Sequence, residues 1–174
     1  SFIYFALSVA FWSYCYFLWQ NVSNEADAIF WCRILMAAAI FIPSTFLHFS
    51  INLIGKYLQY KKVINFFYLT STVFFILNLF TNLIVKDVRS RLIFPYWPTA
   101  GIAFTSFLVM FIGLTFYAHY LLYRHYKSLT GLRRNQIKYV LLGTSIGFLG
   151  GSTNYPLWYD IHILPIGNIL VAVY

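Results

Sequence analysis

The sequence predicts an all-α, polytopic transmembrane helix bundle on three observations. Apolar residues make up 61% of the chain and charged residues only 9%, where soluble proteins carry about a quarter charged. The charges gather in clusters, leaving charge-free runs of membrane-spanning length between them. Those clusters also differ in sign from one connection to the next, as loops on alternate sides of a bilayer do. Twelve bases and four acids are too few to coat a water-soluble core in a chain of 174 residues.

A hydrocarbon core of about 30 Å takes roughly 20 helical residues. The first span, 1–22, lacks the basic start and small-residue cleavage site of a signal peptide. NVSNEADA connects it to the second span, 29–55, which carries Pro43 near its middle. A proline there removes a backbone bond and kinks a helix. Lys56, Lys61 and Lys62 precede the third span, 62–85. The next charge-free run, Leu92 to Tyr123, is too long for one helix, so PYWP (Pro95–Pro98) reads as a loop or the start of a helix. That leaves a fourth span at 99–123 and a fifth at 135–154. The sixth, 161–174, is truncated, covering only about 21 Å. Residues 1–174 thus read as one membrane-embedded domain whose two ends, both in apolar sequence, look trimmed from a longer chain.

Basic residues mark cytoplasmic loops because they resist translocation. The connection with Glu25 and Asp27 is placed outside, Lys56 to Lys62 inside, and Asp160 outside. Arg124, Lys127, Arg133, Arg134 and Lys138 form the strongest basic cluster and are placed inside. Lys86, Arg89 and Arg91 beside Asp87 are an exception, since alternation puts them outside. Tyr174 then points toward the cytoplasm. The net charge of +8 reads mainly as this topology signal and not as a nucleic-acid surface.

Catalytic motifs are missing: no Walker loop, HExxH, CxxC or GxSxG occurs. The four acids all fall in outer loops, so no intramembrane carboxylate suggests a proton relay. His48, His119, His125 and His162 have no metal-ligand spacing, and neither a metal nor a cofactor is expected. Cys15 and Cys32 read as buried free thiols in preference to a disulfide. GFLGG (Gly147–Gly151) reads as a helix-packing surface. Asn52, Asn78, Asn82, Asn154 and Asn168 are expected to face the bundle interior as interhelical hydrogen-bonding groups, because amides are costly in lipid.

Trp19, Trp31, Arg33, Trp97, Asn154, Tyr155, Trp158 and Asp160 gather toward the outer leaflet, where Trp and Tyr form interfacial belts. From depth and polarity, the ligand-binding candidates are Trp12, Tyr14, Trp31, Arg33, Asn154, Trp158 and Asn168. Arg33 is expected to pair with Asp27 or Asp160, or to hold an anionic ligand. Pro43, Pro156 and Pro165 are the candidate hinges.

The series FALSVAFWSYCYFLW, AIFWCRILMAAAIFIPSTFLHFSINLIGK, LRRNQIKYVLLGTSIGFLGGSTNYP and LPIGNILVAVY resembles the seven-transmembrane N-terminal sensory region of bacterial sensor histidine kinases. The residues that carry the resemblance are Trp12, Phe30, Trp31, Arg33, Pro43, Phe49, Arg133, Arg134, Gln136, Gly143, Gly147, Asn154, Pro165, Gly167 and Asn168. It implies seven spans, of which six are present and the first would precede Ser1. It also implies a bacterial inner-membrane location, a cytoplasmic kinase or other output module after Tyr174, and a homodimer.

The expected function is therefore a sensory input domain, itself without enzymatic activity, in which a small molecule, lipid or membrane state shifts helix packing. Membrane lipids are expected partners, and nucleic acid is not. A transporter or channel subunit, a lipid-modifying membrane enzyme and a structural anchor are the competing classes. Transport would need a continuous polar path, and lipid chemistry a spatial partner for His48 or His119.

Overall fold

The computed structural model describes the backbone of residues 1–173 and the side chains of 1–172. Helix α1 (Phe2–Gln20) is followed by α2 (Glu25–Ala39), α3 (Ile42–Leu53) and α4 (Tyr57–Phe80). A hairpin of β1 (Val85–Arg91) and β2 (Phe94–Ala100) leads into α5 (Phe104–Tyr126), α6 (Gly131–Ser152) and the short α7 (Tyr155–Trp158). A 3-10 helix, Ile166–Val173, packs against α6. Cys15 and Cys32 are both buried and unbridged.

Helices α2 and α3 act together as one 29-residue span through the middle of the bundle. Of their most apolar stretch 72% is buried, against 22% for α1, 17% for α4 and 33% for α5, which present broad apolar faces outward. Phe11, Phe17, Leu69, Val73, Val109 and Phe116 are exposed on those faces. In water such surfaces would aggregate; in hydrocarbon they meet a solvent as apolar as themselves. The start of α2 is set locally, with the Asn24 side chain accepting from the Asp27 amide at 2.9 Å. Glu25 and Asp27 add negative charge to its first turn.

The central span breaks at Ile40–Phe41, just before Pro43 in the first turn of α3. Proline donates no backbone bond, so carbonyls upstream of it need other partners. The Phe41 carbonyl keeps the Thr45 amide as donor at 2.9 Å, and Thr45 Oγ1 lies 2.9 Å from that carbonyl and 3.0 Å from that of Ile42. The hydroxyl of Ser71, fully buried on α4, donates to the Ile40 carbonyl at 3.2 Å. The Ser71 and Ser44 hydroxyls lie 2.8 Å apart, and that of Ser44 also reaches the Phe67 carbonyl at 3.3 Å. Asn78 of α4 likewise donates to the Arg33 carbonyl at 2.8 Å.

Among the described residues four helices are long and apolar enough to cross a membrane: α1, α2–α3, α4 and α5. The expected spans at 135–154 and 161–174 are not among these four. Helix α6 has a span's length of 22 residues, but Arg133, Arg134, Asn135, Gln136 and Lys138 at its start and four glycines beyond make it less apolar. The expected sixth span, 161–174, is not an α-helix over its described residues; irregular chain to Pro165 gives way to the 3-10 helix, and Tyr174 lies outside the described residues. Helix α4 begins five residues before the expected 62 and ends at Phe80 instead of 85. Long lysine stems let Lys61 and Lys62 lie within a helix and still reach water. Helix α5 starts at Phe104, not at 99.

PYWP is neither loop nor helix start but the body of β2, which pairs antiparallel with β1, Arg89 opposite Trp97 and Val88 opposite Pro98. Proline is admissible in strands whose outer edge needs no donor, and a two-stranded ribbon offers such edges. Leu92 takes a left-handed conformation at the turn. Asp87, in β1, is partly desolvated, which opposes ionisation; hydrogen bonds from Thr99 and Arg89 and the charges of Arg89 and Lys86 outweigh this and hold its carboxyl below the usual value. Its contribution to hairpin stability is thus present above the ordinary carboxylate range and fades as pH falls through it.

Arg91, at 5% exposure, fastens the hairpin to the bundle. Its guanidinium donates to the carbonyls of Pro98 and Leu157, reaches Thr99 Oγ1 at 3.3 Å, and pairs with the exposed Asp160 at 3.2 Å. Arg91→Ala is expected to cost about 2–4 kcal/mol because buried carbonyls lose their donor. Asp160→Asn, which leaves those bonds in place, should cost under about 1 kcal/mol. At the kink, Ser71→Ala should cost about 1–2 kcal/mol and Thr72→Ala, on the exposed face of the same helix, almost nothing. Unfolding of the detergent-solubilised protein measures all four.

Candidate functional site

Under the hairpin lies a narrow, largely apolar cavity, with about 60 Å³ wide enough for the centre of a water-sized sphere. Helices α1, α2, α5, α6 and α7 and strand β2 supply most of its lining. Trp12, Tyr16 and Trp19 fall at i, i+4 and i+7 on one face of α1, with Trp12–Tyr16 and Tyr16–Trp19 ring centroids 5.3 and 5.2 Å apart. Cys32, Leu35, Met36 and Ala39 form the matching stripe on α2. Phe107 and Phe111 of α5 and Phe148 of α6 close the opposite wall. Trp97 roofs it from β2, edge-on to Trp19 at 5.0 Å. Trp158 of α7 completes it, stacked on Phe104 at 4.2 Å.

Polar groups in this lining are few and specific. Trp97 is 1% exposed, and its indole N–H has no acceptor among the described residues. Asn154, also buried, donates to the Gly151 carbonyl at 2.9 Å and to Asn168 Oδ1. Its own Oδ1 accepts a long bond from the Tyr16 hydroxyl at 3.4 Å. No cation or carboxylate lines the cavity. An arrangement of this kind suits a small, neutral, mostly apolar molecule with one hydrogen-bond acceptor, since ions would meet no counter-charge.

Of the residues singled out from sequence, the structure brings Trp12, Asn154 and Trp158 into this lining and ties Asn168 to it through Asn154. Three lie elsewhere. Tyr14, two positions from Trp12 and so on the other side of α1, is 60% exposed. Trp31 sits against Phe30 at 5.3 Å. Arg33 donates to Asn82 of the chain after α4, and pairs with neither Asp27 nor Asp160. Pro43 stands at the break in the central span, Pro156 opens α7, and Pro165 precedes the 3-10 helix. Asn78, Asn154 and Asn168 bridge elements as expected, whereas Asn82 is exposed in the chain after α4 and Asn52 bonds the His48 carbonyl in its own helix at 3.0 Å.

Tyr16, Trp19, Trp97, Phe107, Phe111 and Phe148 were not legible as lining residues. The i, i+4, i+7 spacing of aromatics on α1 was the available signal for the first two. Nothing local marks Trp97, whose position follows from the hairpin. Among the described residues no three His, Cys, Asp or Glu side chains gather as a metal site. His48 and His119 contact Tyr68 and Thr144 at 3.1 and 3.0 Å.

The cavity communicates with the last described element. Val171 lines it, and Gly150 of α6 meets Gly167 so closely that a Cβ on Gly167 would stand 2.8 Å from the Gly150 carbonyl oxygen.

A family model described as the N-terminal 7TM region of histidine kinase matches residues 1–174. Neither the curated proteins nor the solved structures yield a match. The chain belongs to the family of N-terminal 7TM regions of histidine kinases, the membrane-embedded sensory input part of such a kinase.

Proposed function

We propose that residues 1–174 form one input domain that binds a small, neutral, largely apolar stimulus in the aromatic cavity and passes its occupancy to a kinase module through the 3-10 helix. The observation that carries this reading is the continuity of the lining with that helix: Asn154 bonds Asn168, Val171 lines the cavity, and Gly150 and Gly167 touch. A ligand preferring one spacing of α6 against this helix shifts the population toward it by its difference in affinity. Pro43, Pro156 and Pro165 are the points where such a shift bends the chain.

The basic residues set the orientation. Lys56 to Lys62 and Arg124 to Lys138 mark the cytoplasmic end by the positive-inside rule, leaving the hairpin and the cavity toward the outer leaflet of a bacterial inner membrane. The chain beyond Ile166 then heads for the cytoplasm, where the output module belongs, and kinship with sensor kinases extends the proposal to a homodimer.

Four of the five tryptophans line the cavity, so quenching of intrinsic fluorescence in nanodiscs reads its occupancy. Acetophenone, neutral and with one carbonyl acceptor, is expected to quench saturably, whereas benzoate of similar size is not. Trp97→Phe removes the donor and keeps most of the ring, and should weaken acetophenone about fivefold. Equal binding of benzoate, or an unchanged Trp97→Phe variant, would overturn the ligand assignment. Gly150→Ala, whose Cβ overlaps the Gly167 carbonyl, should alter autophosphorylation of the full-length kinase while leaving probe binding within about twofold; unaltered output would overturn the transmission route.

A further inference from the structure

We infer that the basic end of the bundle holds the phosphate headgroup of an anionic phospholipid in a notch formed by Arg133, Gln136 and Asn52. The notch, about 240 Å³, lies between the end of α3, the α5–α6 connection and the first turns of α6. It is separate from the aromatic cavity and shares no residue with it.

Charge distribution supplies the first argument. Lys56 to Lys62 and Arg124 to Lys138 contain eight of the twelve bases and no acid, while all four acids lie with the other four bases in the segments 25–33, 86–91 and 160. The positive charge of this end is therefore uncompensated by the protein itself. An anionic surface lipid gains on the order of 1 kcal/mol per nearby base from such a field, but a diffuse field alone selects no site.

Position selects one, since of these eight bases Arg133 alone lines the notch. Arg134 lies over the Tyr126 ring at 4.8 Å and Lys127 over the Tyr123 ring at 4.6 Å, so both are already placed on aromatic faces. Arg133, which lines the notch, makes no ion pair or hydrogen bond from its guanidinium among the described residues, and neither does the Gln136 amide. Asn52 spends one amide hydrogen on the His48 carbonyl at 3.0 Å and keeps the other. A forked guanidinium flanked by two amides matches the several acceptor oxygens of a phosphate diester.

Backbone geometry adds to this. Thr130 precedes α6 without a side-chain cap, and its first turn contains no acid. The amides at that helix start therefore add partial positive charge to this end of the bundle. Leu53, Leu129 and Ile137 make the rest of the wall apolar. Free phosphate has no use for that wall, whereas the glycerol and acyl roots of a lipid do.

The test titrates the detergent-solubilised protein with dioctanoyl phosphatidylglycerol and counts retained lipid by native mass spectrometry. One phosphatidylglycerol is expected to bind saturably, with dioctanoyl phosphatidylcholine at least tenfold weaker. Arg133→Gln should weaken phosphatidylglycerol about tenfold or more, and Gln136→Leu about threefold. Lys62→Gln, the same unit loss of charge at the same end, should change it by less than about twofold. Equal weakening by Arg133→Gln and Lys62→Gln would overturn the notch in favour of a diffuse field. Unchanged binding in both notch variants, or phosphatidylcholine bound as tightly, would also overturn it. Displacement of the lipid by inorganic phosphate at equal concentration would make this a free-anion site and sink the lipid assignment.

Discussion

A backbone carbonyl freed inside a bilayer has no water to bond, and the central span of this protein frees them where Pro43 interrupts it. Ser71 answers the Ile40 carbonyl from α4, while the Phe41 carbonyl keeps a backbone donor, the Thr45 amide at 2.9 Å. The kink is therefore a two-helix structure and not a property of one helix alone. Its bend places Cys32 to Ala39 on the cavity side above it and Phe46, fully buried, against Phe5, His119 and Phe148 below. Helices α1, α5 and α6 pack around a shape that this one satisfied break defines.

The two ends of the bundle do different chemistry. At one, a hairpin fastened by Arg91 covers an aromatic cavity, and Arg89 and Arg91 there pair with Asp87 and Asp160. At the other, basic side chains stand without acids around a polar notch. The stretch from Asn154 through the 3-10 helix ties the first end to the part of the chain that continues toward Tyr174. Close glycine packing makes that contact short-ranged and so sensitive to small shifts, because two backbones in contact have no side chain between them to absorb a displacement.

Much of this was legible from residues alone. Charge-free runs located α1, α2–α3, α4 and α5 to within a few residues, because a span's composition is dictated by the lipid it meets and not by its partners. Lys61 and Lys62 misled the start of α4 because a charge on a long stem does not end a helix. PYWP misled more deeply. Its prolines rightly argued against helix interior, but a strand there needs β1 as a partner, and Lys86, Asp87 and Arg89 disguised β1 as a loop. The candidate site divided along the same line: Trp12, Asn154 and Trp158 meet, whereas Tyr14 and Arg33, chosen for depth and polarity, face away.

The sequence by itself determined that the chain lives in lipid, which of its ends is basic, where its central span must bend, and its kinship with kinase sensory regions. Each of these is written locally, in composition, in one proline or in a run of motif residues. Only the tertiary structure decided which side of each helix turns inward, that Trp97 roofs a cavity from a strand, and that Arg91 reaches carbonyls near residues 98 and 157. An all-round apolar helix carries almost no amphipathic signal to point it, so its facing is settled by packing with partners distant in the chain.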